Sequence, residues 1–105
     1  MDKALKFDAN KPRTDLLPVR PLINTSVIFA YGSRKYADYN WKKGDGLKQS
    51  RVYAALLRHL FAWYSGEDRD KESGRDHLAH ATCCLLMLYD LSLDRPNSDD
   101  RDKTR

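Results

Sequence analysis

Two apolar patterns of helical period, separated by a short acidic segment, most constrain how this chain can fold. The first covers residues 51–65 and the second residues 75–91, each with apolar side chains at intervals of three and four. The eight residues Glu67–Gly74 between them are too few for anything but an antiparallel helix pair. The side chains expected to face inward are Tyr53, Leu56, Leu57, Leu60, Phe61 and Tyr64 on the first helix and Leu78, Ala81, Thr82, Leu85, Leu88 and Tyr89 on the second.

Turn and cap signals place a third helix before this pair. Proline spacing makes residues 1–20 an extended arm, and a helix is predicted from Pro21 to about Tyr36. Ser50 is the expected N-cap of the next helix, and Gly66 is its expected stop.

The predicted fold is all-α, a compact bundle of about three helices with an extended N-terminal arm. Residues 1–93 form a single domain, and residues 94–105 are expected to be a disordered charged tail because they contain almost no apolar side chains. Three helices make a thin core, so we expect a homo-oligomer to complete it. The adjacent cysteines Cys83 and Cys84 are expected to be reduced and buried.

The composition is that of a globular protein, with 41% hydrophobic and 32% charged residues. The longest apolar run, residues 83–89, is far too short to cross a bilayer. No signal peptide is visible at the start of the chain. We therefore expect a cytoplasmic protein with no membrane partner.

The charge is +4 and the pI is about 9.1, with most unpaired basic residues in the first 63 positions and acids prevailing over 65–76. Such a distribution suits an anionic ligand, because arginine and lysine bind phosphates and aromatic faces stack on nucleobases. A generic basic surface and core aromatics are the alternatives. The cations and aromatic residues predicted to contact a ligand are Lys11, Arg13, Lys35 and Arg58, with Tyr31, Trp41 and Trp63.

All three histidines of the chain, His59, His77 and His80, fall within residues 59–80 and are predicted to lie close together on the facing helices. We assign all three to ligand binding. With an acid from the loop they could instead hold a transition metal, but the His77/His80 spacing of three suits a single metal poorly. The structural alternative is a histidine hydrogen-bonded across the helix pair.

The acidic segment offers Glu67, Glu72 and Asp76 as oxygen ligands for magnesium. If the chain is an enzyme, these acids and His77 are its candidate catalytic residues. The alternative is a solvated acidic turn in which Glu72 or Asp76 caps the following helix. The sequence contains no phosphate-binding loop, no dinucleotide fingerprint and no nucleophile–base signature.

Four segments together resemble a phage family described as dATP/dGTP diphosphohydrolase, N-terminal domain. They are residues 7–18, 31–44, 53–68 and 72–81, which include KPRTDLLP, YGSRKY, ALLRHL and ESG followed by HLAHA. The resemblance implies an all-α fold distantly similar to MazG-type nucleotide pyrophosphohydrolases, which act as oligomers with magnesium. This chain lacks the paired helical carboxylates of those enzymes, so the resemblance transfers a nucleotide ligand more readily than a reaction.

The leading hypothesis is therefore a phage-type protein that binds and sequesters a purine nucleotide or a nucleotide immune signal, with no cofactor, in the host cytoplasm. The alternative is a magnesium-dependent dATP/dGTP pyrophosphohydrolase that releases dNMP and pyrophosphate. The least favoured hypothesis is that the basic arm binds DNA, and we expect no nucleic-acid partner.

Overall fold

Three α-helices form where the sequence has helical period. The computed structural model describes residues 3–104, with α1 at Val19–Lys35, α2 at Gln49–Tyr64 and α3 at His77–Asp94. Single 3-10 turns lie at Thr14–Leu16, Asn40–Lys42 and Pro96–Ser98. Within the described range there is no strand beyond one isolated bridge, so the all-α prediction is confirmed.

Helix α3 is the centre of the bundle, and α1 and α2 both pack on it. Ile28 of α1 packs with Ala79 and Cys83, while Val52 of α2 packs with Cys84 and Leu91. The start of α2 lies beside the segment after α3, and its later residues lie beside the start of α3, so the pair is antiparallel as predicted.

The faces predicted to be inward are partly wrong. On α3, Leu78, Leu85 and Tyr89 are exposed, with 44%, 53% and 63% of their surface accessible. The reason is that α3 is covered on two flanks, where its small residues allow close helix approach, and this leaves these three side chains on a third flank. On α2, Tyr53, Phe61 and Tyr64 are likewise exposed.

The N-terminal arm is extended, as predicted. Every described residue before α1 is exposed, and the arm carries one 3-10 turn. The Cα radius of gyration is 17.5 Å, against about 13 Å for a compact chain of this length.

The segment after α3 differs from the expected disordered tail. Ser98 is fully buried, and its Oγ accepts a hydrogen bond from Gln49 Nε2 at 3.1 Å. The Asp100 carboxylate accepts hydrogen bonds from the Ser50 N–H and hydroxyl. Ser50 is therefore not the N-cap of α2, because the helix begins at Gln49. The Ser50 N–H, which has no partner within the first turn of the helix, is bound by the Asp100 carboxylate fifty positions later. The segment contains almost no apolar side chains, and these hydrogen bonds hold it against the start of α2 instead.

None of the helices in the described part of the chain has the length and apolar content to span a membrane.

Candidate functional site

The C-terminal half of α2, the acidic segment and the first turn of α3 meet in one cluster, which we call the histidine cluster: His59, Glu67, Asp70, His77 and His80. Gly66, two residues after the last residue of α2, has a φ of +103°, a conformation that glycine adopts readily. The segment then folds back on itself, because Asp70 N–H donates to Arg75 O at 2.8 Å and His77 N–H donates to Asp68 O at 2.9 Å. These bonds bring the acids of the segment to the start of α3.

His77 is the most deeply placed member of the cluster, with only 4% of its surface exposed. Its Nε2 lies 3.0 Å from Glu67 Oε1, and its Nδ1 lies 2.9 Å from His59 Nδ1. A carboxylate can only accept, so a neutral His77 carries its proton on Nε2 and accepts on Nδ1, and His59 donates from Nδ1. The result is a continuous hydrogen-bond relay from Glu67 through His77 to His59.

His80 forms the second layer of the cluster. Its ring stacks on the His59 ring with centroids 4.5 Å apart and planes 8° from parallel. Its Nε2 lies 2.7 Å from Ser73 Oγ and 3.9 Å from Asp70 Oδ2. The three histidines thus lie together, which confirms their predicted proximity.

Burial lowers the pKa of His59, and the neighbouring imidazoles His80 and His77 lower it further. Burial also lowers the pKa of His80, although Asp70 opposes that shift. For Asp70 burial acts to raise the pKa, but hydrogen bonds from the Ser73 backbone and hydroxyl outweigh it and the pKa is lowered. At neutral pH the cluster therefore holds an ionised Asp70 beside neutral His59 and His80, and a neutral imidazole can accept a proton.

Of the three acids predicted for magnesium, only Glu67 reaches the histidines. Glu72 is exposed and pairs with Lys35 at 3.1 Å, and Asp76 is exposed and lies 3.8 Å from Arg69. Asp76 occupies the N-cap position of α3 but makes no side-chain cap bond, and neither does Glu72.

Asp70 is the member of the cluster that the sequence analysis did not identify. The signal for it lies in the spacing Asp70-x-x-Ser73, since an aspartate accepts a backbone N–H a few residues ahead in a tight turn. In the structure Ser73 N–H donates to Asp70 Oδ2 at 2.9 Å. This bond orients the carboxylate toward His80.

A groove of about 1290 Å³ runs beside the histidine cluster between α1, α3 and the segment that follows α1. Among the residues that line it are Tyr31, Lys35 and Trp41, all predicted ligand contacts, and also His80. Lys42 lines it as well but is held by Asp90 and Asp94 at 2.7 Å each. Of the predicted cations, Lys35 is the one at this groove.

The other predicted ligand residues lie elsewhere. Lys11 and Arg13 are on the exposed arm, where Arg13 pairs with Asp15 at 2.8 Å. Arg58 is exposed on α2 beside His59, and Trp63 lies at the end of α2 with its ring 6.3 Å from that of Tyr64. None of these four lines the groove.

Comparison with known proteins gives two matches. The profile of the family described as dATP/dGTP diphosphohydrolase, N-terminal, matches residues 1–101. A protein of Salmonella phage PMBT28 named dATP/dGTP diphosphohydrolase is 36% identical over 97 residues, which is 92% of this chain and 32% of that protein. The chain thus spans about a third of the length of this curated relative. No solved structure matches.

Proposed function

The chain belongs to the dATP/dGTP diphosphohydrolase N-terminal family, and from this premise we propose that it binds a purine deoxynucleoside triphosphate and takes part in its hydrolysis. The products would be the nucleoside monophosphate and pyrophosphate. The name of the phage relative favours this alternative over sequestration, which nothing in the comparisons supports. The phage relative is about three times as long as this chain. We therefore extend the activity in its name to this chain only as a proposal.

The observation that carries the proposal is the position of His80. It is the one histidine that lines the groove, and it also belongs to the histidine cluster through its stack on His59. A ligand held in the groove would therefore lie next to a half-buried imidazole whose pKa is lowered by burial.

The groove supplies the contacts that a nucleotide needs. Tyr31 and Trp41 offer aromatic faces for a purine, and Lys35 offers a cation for phosphate. Lys35 is about half exposed and holds Glu72 at 3.1 Å, so a phosphate would exchange with that surface carboxylate at little cost. The ion pair thus keeps the lysine at the rim of the groove.

In the proposed reaction a water oxygen attacks the α-phosphorus while His80 accepts the water proton at Nδ1, because its Nε2 donates to Ser73 Oγ. The bond from the α-phosphorus to its bridging oxygen breaks, and pyrophosphate leaves with the electron pair. His80 is prepared for this role because it is neutral, and Ser73 Oγ at 2.7 Å from its Nε2 orients the ring. Asp70 would stabilise the imidazolium that forms.

Magnesium, which the family resemblance implies, does not fit the residues that converge here. Magnesium takes oxygen ligands, but the convergent donors are two imidazoles and one carboxylate, from His59, His77 and Asp70. Glu72 and Asp76 are engaged by Lys35 and Arg69, away from the cluster. The proposed mechanism therefore contains no magnesium step.

The test is incubation of the chain with dATP, dGTP, dCTP and dTTP, with chromatographic measurement of intact nucleotide, monophosphate and pyrophosphate. We expect binding and cleavage of the purine nucleotides, and loss of about 10²–10⁴-fold in turnover for His80→Asn. Ser92→Ala, an exposed change on the same helix, is the matched control and should leave turnover unchanged.

Two outcomes would contradict the proposal in different ways. Purine nucleotide recovered intact after prolonged incubation would favour sequestration over hydrolysis. No preference for purine over pyrimidine nucleotides in either binding or cleavage would remove the assignment of the substrate class.

We also propose that the chain self-associates through the uncovered apolar flank of α3. Leu78, Leu85 and Tyr89 recur there at helical spacing and are all exposed. Light scattering after size exclusion should give a mass above one chain, and Leu85→Glu should lower it. A monomer at all concentrations would contradict this proposal.

A further inference from the structure

We propose that His59, Asp70 and His77 form a binding site for a divalent first-row transition metal ion. One donor atom from each residue lies within 4.8 Å of the others. The three residues come from α2, the acidic segment and α3, so the site would join three separate parts of the chain. Metal binding here does not depend on the proposed hydrolysis.

The spacing of the two imidazoles is already that of a ligand pair. Their Nδ1 atoms are 2.9 Å apart. Two ligands bound at about 2.1 Å from one ion lie roughly 3.0–3.4 Å apart in octahedral or tetrahedral geometry. The histidines would therefore separate by only a few tenths of an ångström to admit the ion.

The surrounding hydrogen bonds present the correct atoms. Glu67 Oε1, 3.0 Å from His77 Nε2, holds the proton of that ring on Nε2 and leaves the Nδ1 lone pair facing His59. A carboxylate behind a ligating histidine is a recurring support in metal sites. The Ser73 N–H does the same for Asp70 by binding Oδ2 at 2.9 Å.

Metal binding would require the proton that lies between the two histidines to move. Without metal, His59 donates its Nδ1 proton to His77 Nδ1. On binding, that proton would move to His59 Nε2, and both Nδ1 lone pairs would face the ion. The Asp70 carboxylate lies beside them and is the donor of the three that carries negative charge when it binds a metal.

The donor chemistry selects the metal. Two imidazole nitrogens and one carboxylate suit zinc, cobalt, manganese or iron, and leave coordination positions open for water or a ligand oxygen. His80 is not one of the three donors, because its Nε2 lies 2.7 Å from Ser73 Oγ. The same chemistry explains why magnesium fits poorly.

The experiment uses the full chain after removal of metal with a chelator, with no nucleotide present. Zn²⁺ is titrated by calorimetry and Co²⁺ by its visible absorption, and Mg²⁺ is run in parallel. We expect one Zn²⁺ or Co²⁺ per chain, a rise in melting temperature with metal, and no heat with Mg²⁺ at the same concentrations. Removing one ligand, by His59→Gln or Asp70→Asn, should weaken zinc binding by about tenfold or more.

A matched control separates the site from adventitious binding. Glu72→Gln removes an exposed acid from the same segment and should retain stoichiometric zinc. Because His77 is buried, His77→Gln is informative only if circular dichroism shows the helices intact, and His59→Gln and Asp70→Asn decide the matter without it.

Absence of saturable Zn²⁺ and Co²⁺ binding would overturn the site, as would equal binding by the ligand variants and Glu72→Gln. Neither result involves nucleotide cleavage. Failure of the metal site is therefore distinguishable from failure of the proposed function.

Discussion

The two ends of the α2–α3 pair are built from different chemistry. At one end Leu91 and Ser98 are completely buried, and Gln49 completes a hydrogen bond to Ser98. At the other end lie the half-buried His59 and the buried His77, whose imidazole rings are joined by a hydrogen bond. The first end is built from an aliphatic side chain, a hydroxyl and an amide, whereas the second is built from imidazole rings and carboxylates.

This difference indicates a division of labour along one helix pair. The end around Leu91 fixes the register of α2 against α3, and the histidine cluster can then hold proton-accepting groups in place. No buried side-chain nitrogen or oxygen within the described residues lacks a hydrogen-bond partner, so both ends are internally satisfied. We expect changes at the first end to affect stability and changes at the second to affect chemistry and pH response.

The sharpest test of the first end is Gly46→Ala. Gly46 has a φ of +79°, and a Cβ there would lie 2.5 Å from Leu91 Cδ2. We expect a loss of about 2–4 kcal/mol in unfolding free energy from backbone strain and overpacking, measured by urea denaturation. Gly44→Ala is the matched control, because Gly44 has a φ of +58° but nothing within 4 Å of the added Cβ, and it should cost about 1 kcal/mol. Equal losses would show that Leu91 does not pack against this turn.

A shorter chain tests the same end through its polar contacts. Removal of residues 96–105 takes away Ser98, the partner of Gln49, and Asp100, the acceptor at the start of α2. We expect a loss of about 2–3 kcal/mol, from an unpaired buried amide and a lost helix-terminal bond. Removal of residues 102–105 alone keeps both contacts and should change stability by less than about 0.5 kcal/mol. A chain ending at residue 95 that is as stable as the full chain would restore the expectation of a disordered tail.

The histidine end should make stability depend on pH. The pKa values of His59 and His80 are lowered in the folded state, chiefly by burial, so below about pH 6.5 the unfolded chain binds more protons than the folded one. Stability is then complete above that pH and falls as the pH drops, by at most about 1.4 kcal/mol per pH unit for each histidine. Urea denaturation in chelator between pH 8 and 5 measures this slope, and the double variant His59→Asn/His80→Asn should flatten it. An unchanged slope in that variant would contradict the assignment of this pH dependence to His59 and His80.

The lowered pKa of Asp70 adds a separate loss of stability only below about pH 3.8.

The smallest expected effect concerns the cysteines between the two ends. Burial raises the pKa of the Cys83 thiol to about 12, and burial also raises that of Cys84. Thiolates are the reactive form, so iodoacetamide at pH 8 should leave the folded chain unlabelled. Mass spectrometry after labelling in urea should show both cysteines modified. Rapid labelling of the folded chain would show that α1 and α2 do not shield Cys83 and Cys84 from solvent.

The helices and the proximity of the histidines could be predicted because both depend on local spacing. Intervals of three and four residues place a helix, and a short connecting segment brings its two helices together. The inward faces could not be predicted in the same way. A helix covered on two flanks, like α3, buries its small residues Ala79 and Cys83 and leaves Leu85 outside, and periodicity alone does not show how many neighbours a helix has.

The acids illustrate a second limit. Glu67, Glu72 and Asp76 are equivalent in the sequence, but only Glu67 reaches a histidine. Glu72 is exposed in the turn closed by Asp70 and Gly74, and Asp76 is exposed at the start of α3. That turn depends on backbone bonds, which residue identity specifies only weakly. The same limit applies to Ser98, a serine in a charged segment whose burial depends on Gln49 about fifty positions earlier.

The acceptor at the start of α2 has a consequence for the order of folding. Ser50 N–H is bound by Asp100, so this contact closes a loop of about fifty residues that includes all of α3 and all of α2 after its first residue. Contacts so distant in sequence carry a larger entropic cost and form after local ones. During synthesis α2 leaves the ribosome long before Asp100 does, so we expect its first turn to fray until the end of the domain has been translated and the bundle closes as a unit.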